Sequence, residues 1–149
     1  MQKLNLGCGK NYREGWINVD CCGQFKTDVA FNLDQPWPWV AESIDEIYCG
    51  HLVEHIVDLV LFMNEAFRVL KVGGRIEIKV PHYGHPWAYG DPSHVRFMSD
   101  ESMFPFSKNA ASFRHLGITC SFILKKTEII VDKPRGIPGE IRWVLEKGK

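Results

Sequence analysis

Lys3-Leu4-Asn5-Leu6 runs into Gly7-Cys8-Gly9, and a second apolar run, Trp16-Ile17-Asn18-Val19, ends on Asp20; no other part of the chain constrains its fold as tightly. The segment reads as a buried strand, a glycine turn and a second strand, with only the ten residues Gly7 to Trp16 between the strands. That is the lower limit, about 10–12 residues, for a crossover containing a helix. The first crossover helix is therefore expected to be shortened or absent. Glycine lets the backbone approach a ligand at the carboxyl end of a strand, and an acid closing the next strand can accept hydrogen bonds from two ribose hydroxyls. Gly7, Cys8, Gly9 and Asp20 are thus the candidate nucleoside site. Asp20 lies 13 positions after Gly7, where a dinucleotide fingerprint places its acid about 20 residues on. Asn11 stands where a third glycine would fall, and because Asn tolerates positive φ the turn is expected to survive.

Seven strand candidates follow from short apolar runs bounded by Gly, Pro or Asp: Lys3–Leu6, Ile17–Val19, Asp28–Phe31, Ile44–Cys49, Arg75–Val80, part of Ile118–Asp132, and Glu140–Glu146. Between the fourth and fifth, Leu59, Phe62, Met63, Ala66, Phe67 and Leu70 repeat at helical spacing. This predicts a helix over 58–71, capped by Asp58 and stopped by Gly73-Gly74. A second helix is expected from Ser99 to Leu116, irregular at Pro105 and capped by Gly117. Strands alternating with helices predict an α/β fold on a mainly parallel sheet, closed by an antiparallel hairpin interrupted at Lys133–Gly139.

A chain of 149 residues is expected to form one domain over 1–149. Its 18 Lys+Arg balance 18 Asp+Glu, so charge gives no indication of nucleic-acid binding or of capture by an anionic membrane. The five cysteines lack paired zinc-type spacing and are read as reduced thiols, which predicts a cytoplasmic protein. The chain opens directly on a strand without a leader pattern, and no apolar run approaches the ~20 residues of a membrane span.

The ordered set Leu4–Gly9, Gly15–Asp20, Asp28–Asp34, Pro36–Trp39, Ile44–Ile47, His51–His55 and Arg68–Gly74 resembles the class I S-adenosylmethionine-dependent methyltransferases, in particular small proteins with little beyond the fold core. The resemblance covers nearly the whole chain. It implies a Rossmann-like, mainly parallel seven-stranded sheet with helices on both faces and a C-terminal antiparallel hairpin. It also implies S-adenosylmethionine as cofactor, with its methionine and ribose over Gly7, Cys8 and Gly9, its ribose diol on Asp20, its adenine at Leu33 and Asp34, and its methionine end beside His51. Trp37 and Trp39 are candidates for an adenine wall, although packing is the commoner fate of tryptophan.

Two segments carry further chemistry. His51-x-x-Glu54-His55 resembles an inverted zinc-peptidase motif, which needs both histidines on one helical face and a third ligand. Here it directly follows a strand, so Glu54 is expected to serve the positive end of the next helix. No residue is assigned to a metal. The loop Pro81–Met98 holds His82, His85, Asp91 and His94 and follows a strand whose carboxyl end should border the cofactor. It is the expected acceptor site, with His94 or Asp91 removing the acceptor's proton; metal binding by these four residues is the alternative. The resulting expectation is methyl transfer by in-line displacement to an O, N or C acceptor. A non-catalytic module of the same fold, or a metal-dependent hydrolase built on His51, Glu54 and His55, are the other readings. The missing enclosure around the glycine turn leaves room for a homo-oligomer or a partner protein.

Overall fold

The structure, a computed structural model, describes residues 1–149. Seven strands form one sheet in the order β3-β2-β1-β4-β5-β7-β6. They are β1 (Lys3–Leu6), β2 (Ile17–Asp20), β3 (Val29–Ala30), β4 (Ile44–Gly50), β5 (Leu70–Pro81), β6 (Phe122–Asp132) and β7 (Ile137–Lys147). The first five are parallel; the terminal hairpin adds β7 antiparallel to β5 and β6 antiparallel to β7. This is the expected Rossmann-like α/β sheet. The chain grows from β1 outward to β3, then returns to place β4 on the other flank of β1. Strand order reverses there, and open α/β sheets bind ligands outside the carboxyl ends of such strands.

The two faces of the sheet differ. The strand registers align Leu4, Ile47, Ile76 and Leu145 in one row and Leu6, Cys49, Ile78 and Trp143 in the next, all fully buried. Helix α1 (Leu59–Val69) adds Phe62, Met63, Ala66 and Val69 to the same apolar core. Asp58 caps it as predicted, its carboxylate accepting from the Leu61 amide at 2.8 Å. Alternate positions turn Asn18, Asn5, Tyr48 and Glu77 to the opposite face. The connection after β1 crosses that face without a helix, and the Arg13 guanidinium lies 3.5 Å from the Tyr48 ring centroid. Asn5 donates to the Asn11 carbonyl and to Asn18, and the Asn18 amide serves the backbone of Arg13 and Trp16. These two buried asparagines give the loop the hydrogen-bond partners that a helix would have provided internally. The layers expected on both faces therefore amount to α1 and the segment Asp100–Phe106 on the apolar side and this pinned loop on the polar side.

No helix is formed between β2 and β3 or between β3 and β4 either. Instead Arg68 of α1 donates to the carbonyls of Trp37 and Trp39, while Glu65 accepts from the Trp37 amide. Trp37 is buried edge-on against Phe62 at 5.1 Å, so packing, not an adenine wall, is its role.

Three expected boundaries differ. Helix α1 ends at Val69, because Leu70 is already extended and pairs with Ile44; Gly73-Gly74 lies inside β5, where the register skips. The helix expected over Ser99–Leu116 is two 3-10 segments, Asp100–Phe106 and Ala111–Leu116. Pro105, which has no N–H to donate, sits within the first, and Gly117 caps the second at φ +81°. In the hairpin, Ile137–Gly139 belongs to β7, leaving a shorter turn. All five cysteines are free, and no helix is long and apolar enough to cross a membrane.

Candidate active site

Register alone lines up the carboxyl edge. Leu6 pairs with Val19 and with Cys49, which sets Gly7 between Asp20 and Gly50-His51. Gly50 pairs with Lys79, and Pro81 with Glu140. The carboxyl edge thus carries Asp20, Gly7 and Gly50-His51 side by side, with Glu140 further along on β7.

Gly7 and Gly9 adopt φ of +61° and +47°, which only glycine adopts freely. A Cβ on Gly7 would lie 2.8 Å from Leu52 Cδ1, whereas one on Gly9 would meet nothing within 4 Å. The turn is closed on one side and open on the other. Asp20 accepts from the Gly9 amide at 2.9 Å and from the Cys22 amide at 2.8 Å, one bond to each oxygen. Each oxygen keeps a further acceptor site, so the carboxylate is oriented and still able to receive two hydroxyls. A nucleoside fits this arrangement. Cys8 contributes only shape: its side chain is buried, its amide donates to Val19, and burial pushes its thiol pKa up. Asn11 does not use positive φ; its amide closes the turn on the Cys8 carbonyl at 2.7 Å. Leu33 lies in the core, and the Asp34 carboxylate accepts from the amides of Val57 and Asp58. Those bonds tie the chain after β3 to the start of α1.

His51 has φ +54°, a left-handed conformation that costs a non-glycine residue about 1–2 kcal/mol. Its amide donates to the Lys79 carbonyl, and its ring sits between Glu140 Oε1, 2.6 Å from Nε2, and Glu54 Oε1, 3.4 Å from Nδ1. The Glu54 carboxylate raises the His51 pKa against partial burial, and Glu140 adds to the effect. A raised histidine pKa stabilises the fold fully below the unfolded value of about 6.5, and that stability is lost as pH rises through the folded value. Thermal melts from about pH 6 upward are expected to show this loss, and His51→Gln to flatten it. Equal pH slopes in the two proteins would contradict the assignment.

Two cavities meet at His51. One, of about 270 Å³, is bounded by Trp87, His85, Asp132 and Glu140. The other, of about 250 Å³, is bounded by Glu54, His55, Asp91 and His94. The loop after β5 is folded over the second: the Val95 amide donates to the Glu54 carbonyl, and Arg96 donates to the carbonyls of Ile56 and Val57. Its histidines separate. His82 accepts from the Gly84 amide, and His85 bonds Asp132 at 3.0 Å, tying the loop to the hairpin. Only His94 and Asp91 line the cavity beside Glu54. The His94 side chain is 7% exposed; Nδ1 bonds the Ala88 carbonyl, which directs Nε2 toward Asp91 at 3.8 Å and Glu54 at 4.0 Å. The Ser93 hydroxyl and amide hold the Asp91 carboxyl below its usual pKa.

The helical face that the zinc-peptidase motif requires is not formed. Val53–His55 is a single 3-10 turn and His51 precedes it, turned to Glu140. Nor does Glu54 serve a helix terminus, since Asp58 caps α1 and the Glu54 side chain is buried. Glu140, whose Oε1 meets His51 and whose Oε2 lies 2.7 Å from Lys79 Nζ, carries no local sequence signal. Only the β5–β7 register brings it there.

A family model described as a methyltransferase domain matches residues 4–78, just over half of the chain. The chain belongs to this methyltransferase-domain family. No curated protein sequence matches it. Among solved structures, the methyltransferase domain overlays on a chain of the complex between the Haloferax volcanii Trm112 methyltransferase activator and a methyltransferase, with TM-score 0.69, 15% identity, and 99% and 83% of the two chains covered. It also overlays on an S-adenosylmethionine-dependent methyltransferase from Mesorhizobium loti, with TM-score 0.67, 14% identity, and 97% and 90% covered. The (4+2)-cyclase SpnF matches with TM-score 0.71, 12% identity, and 99% and 75% covered. These likenesses establish the fold, and the cyclase shows that this fold carries more than one chemistry.

Proposed function

We propose that this methyltransferase domain binds S-adenosylmethionine across Gly7, Cys8, Gly9 and Asp20 and methylates an acceptor held beside His51. The observation that carries the reading is the Asp20 carboxylate, fixed by the Gly9 and Cys22 amides beside the glycine turn that follows β1, the strand at which the order reverses. When bound, the cofactor would supply an electrophilic methyl carbon carried on a sulfonium leaving group. Asp20 holds the ribose diol, and the open side of Gly9 admits the ribose and methionine. Leu33 and Asp34 bound the adenine end, where Asp34 Oδ1 accepts from the Val57 and Asp58 amides and Oδ2 is left to accept from the adenine amine. His51 stands at the methionine end and divides the cofactor from the cavities that receive the acceptor. The acceptor's proton passes to His94 or Asp91. With a leaving group this good, alignment supplies most of the rate.

Thermal denaturation with added ligand tests this. S-adenosylhomocysteine at 100 times its dissociation constant should stabilise the fold by about 2.7 kcal/mol, and NAD should give no shift. Absence of a response to both S-adenosylhomocysteine and S-adenosylmethionine would overturn the reading. The open glycine turn favours a second one, a non-catalytic module of the same fold, which binds the sulfur nucleoside yet passes no labelled methyl group to any acceptor. A partner protein covering that open side is in keeping with the activator complex of the Haloferax structure.

A further inference from the structure

We propose that Glu54, His55 and His94 form a binding site for one divalent transition-metal ion, zinc or a zinc-like ion, in the wall of the acceptor cavity. Glu54 carries the argument. Its side chain is 2% exposed and neither carboxylate oxygen has a hydrogen-bond partner. A carboxylate taken out of water needs a cation or hydrogen-bond donors. No lysine or arginine pairs with it; the groups facing it are His51 Nδ1 at 3.4 Å, whose ring is also held to Glu140 through Nε2, and His94 Nε2 at 4.0 Å.

The two histidines are arranged as ligands. His94 Nδ1 bonds the Ala88 carbonyl, and His55 Nδ1 lies 3.2 Å from the Ser93 carbonyl and 3.0 Å from its hydroxyl. The Ser93 hydroxyl donates to Asp91, so His55 is the donor to it. Each ring therefore carries its proton on Nδ1 and keeps the Nε2 lone pair, the arrangement in which an outer carbonyl orients a metal-bound imidazole. One ligand atom from each of Glu54, His55 and His94 lies within 4.8 Å of the others. Bonds of about 2.0–2.2 Å from a central ion need only a small inward movement from there. Two imidazoles and one carboxylate suit zinc, cobalt, nickel or iron better than calcium or magnesium. The hydrogen bonds from Val95 and Arg96 already hold the loop against the 53–57 segment, so the site is assembled before an ion arrives.

Three protein ligands leave a fourth position, which faces the cavity beside Asp91. The ion's role there rests on the methyl-transfer reading; its binding does not. A hydroxyl acceptor coordinated in that position is acidified, much as zinc lowers the pKa of bound water to about 7, and its oxygen keeps a lone pair for the methyl carbon. With His94 occupied by the ion, Asp91 is left to receive the proton. The acceptor class narrows to a hydroxyl oxygen.

The test is a cobalt(II) titration of the metal-stripped full chain, followed by visible absorption and by displacement with zinc. One cobalt per chain with tetrahedral-type bands is expected. Affinity should fall at least about 100-fold in Glu54→Gln and in His94→Gln, and remain unchanged in His115→Gln, an exposed histidine outside the cluster. Circular dichroism and the S-adenosylhomocysteine thermal shift, measured on the same metal-free samples, report whether each variant is folded. Absence of cobalt bands in the wild type, or bands unchanged in both folded cluster variants, overturns the metal site; if the sulfur-nucleoside shift persists, the methyltransferase reading stands without it. Loss of that shift in the wild type overturns the methyltransferase reading and leaves the cobalt result to be judged alone.

Discussion

Asp20→Ala is expected to weaken S-adenosylhomocysteine binding by about 100-fold or more. Hydrogen bonds to an ionised group are worth about 1.5–3 kcal/mol each, and the carboxylate offers one oxygen to each ribose hydroxyl. Two such bonds sum to about 3 kcal/mol at the low end, and every 1.4 kcal/mol is tenfold in affinity. The substitution also strips the Gly9 and Cys22 amides of their acceptor. Asp20 is half-buried, so water can replace it there, and the fold should lose only about 1 kcal/mol. Asp20→Asn keeps one acceptor oxygen and should fall between the two. Calorimetric titration of the three proteins measures the order directly. Equal affinity across them would remove Asp20 from the site.

Trp143→Ala should have the largest effect on stability, a loss of about 3–5 kcal/mol. The indole is fully buried in β7, between Ile78 of β5 and Thr127 of β6, and its Nε1–H donates to the Asp100 carbonyl at 3.1 Å. That bond ties the 3-10 segment Asp100–Phe106 to the sheet. Few helices cover this sheet, so one large side chain both fills the core and anchors the covering segment. Against a usual total of about 5–15 kcal/mol, the variant would be marginal at body temperature. With a urea m value of about 1–3 kcal/mol/M, the midpoint should drop by roughly 2 M. A drop under about 0.5 M would show that the core does not depend on β7.

How much of this was legible in the chain depended on whether the deciding contact was local. Helix α1 could be read because Phe62, Met63 and Ala66 share one face and Asp58 caps its own helix. The missing first helix followed from counting residues between Leu6 and Ile17. Asp20 and the glycine turn are neighbours in sequence as well as in space, and they meet as their spacing suggested. Contacts made through register or loop return were not visible. Glu140 reaches His51 only because β7 runs antiparallel to β5, and Glu54 meets His94 only because Val95 bonds back to the Glu54 carbonyl. Asn5 and Asn18 look like ordinary polar positions of short strands, yet they hold the loop that replaces a helix. The segment after Ser99 carries helix-start and helix-stop residues, but Pro105 and the tie to Trp143 favour 3-10 turns.

A sulfur nucleoside is expected to seat on the carboxyl edge over the glycine turn. Titration of the 15N-labelled protein with S-adenosylhomocysteine, followed by amide chemical shifts, reads this residue by residue. The largest shifts should fall on Gly7, Cys8, Gly9, Asp20 and His51. No shifts, or shifts confined to the separate cavity lined by Glu42, Phe67 and Lys147, would contradict it.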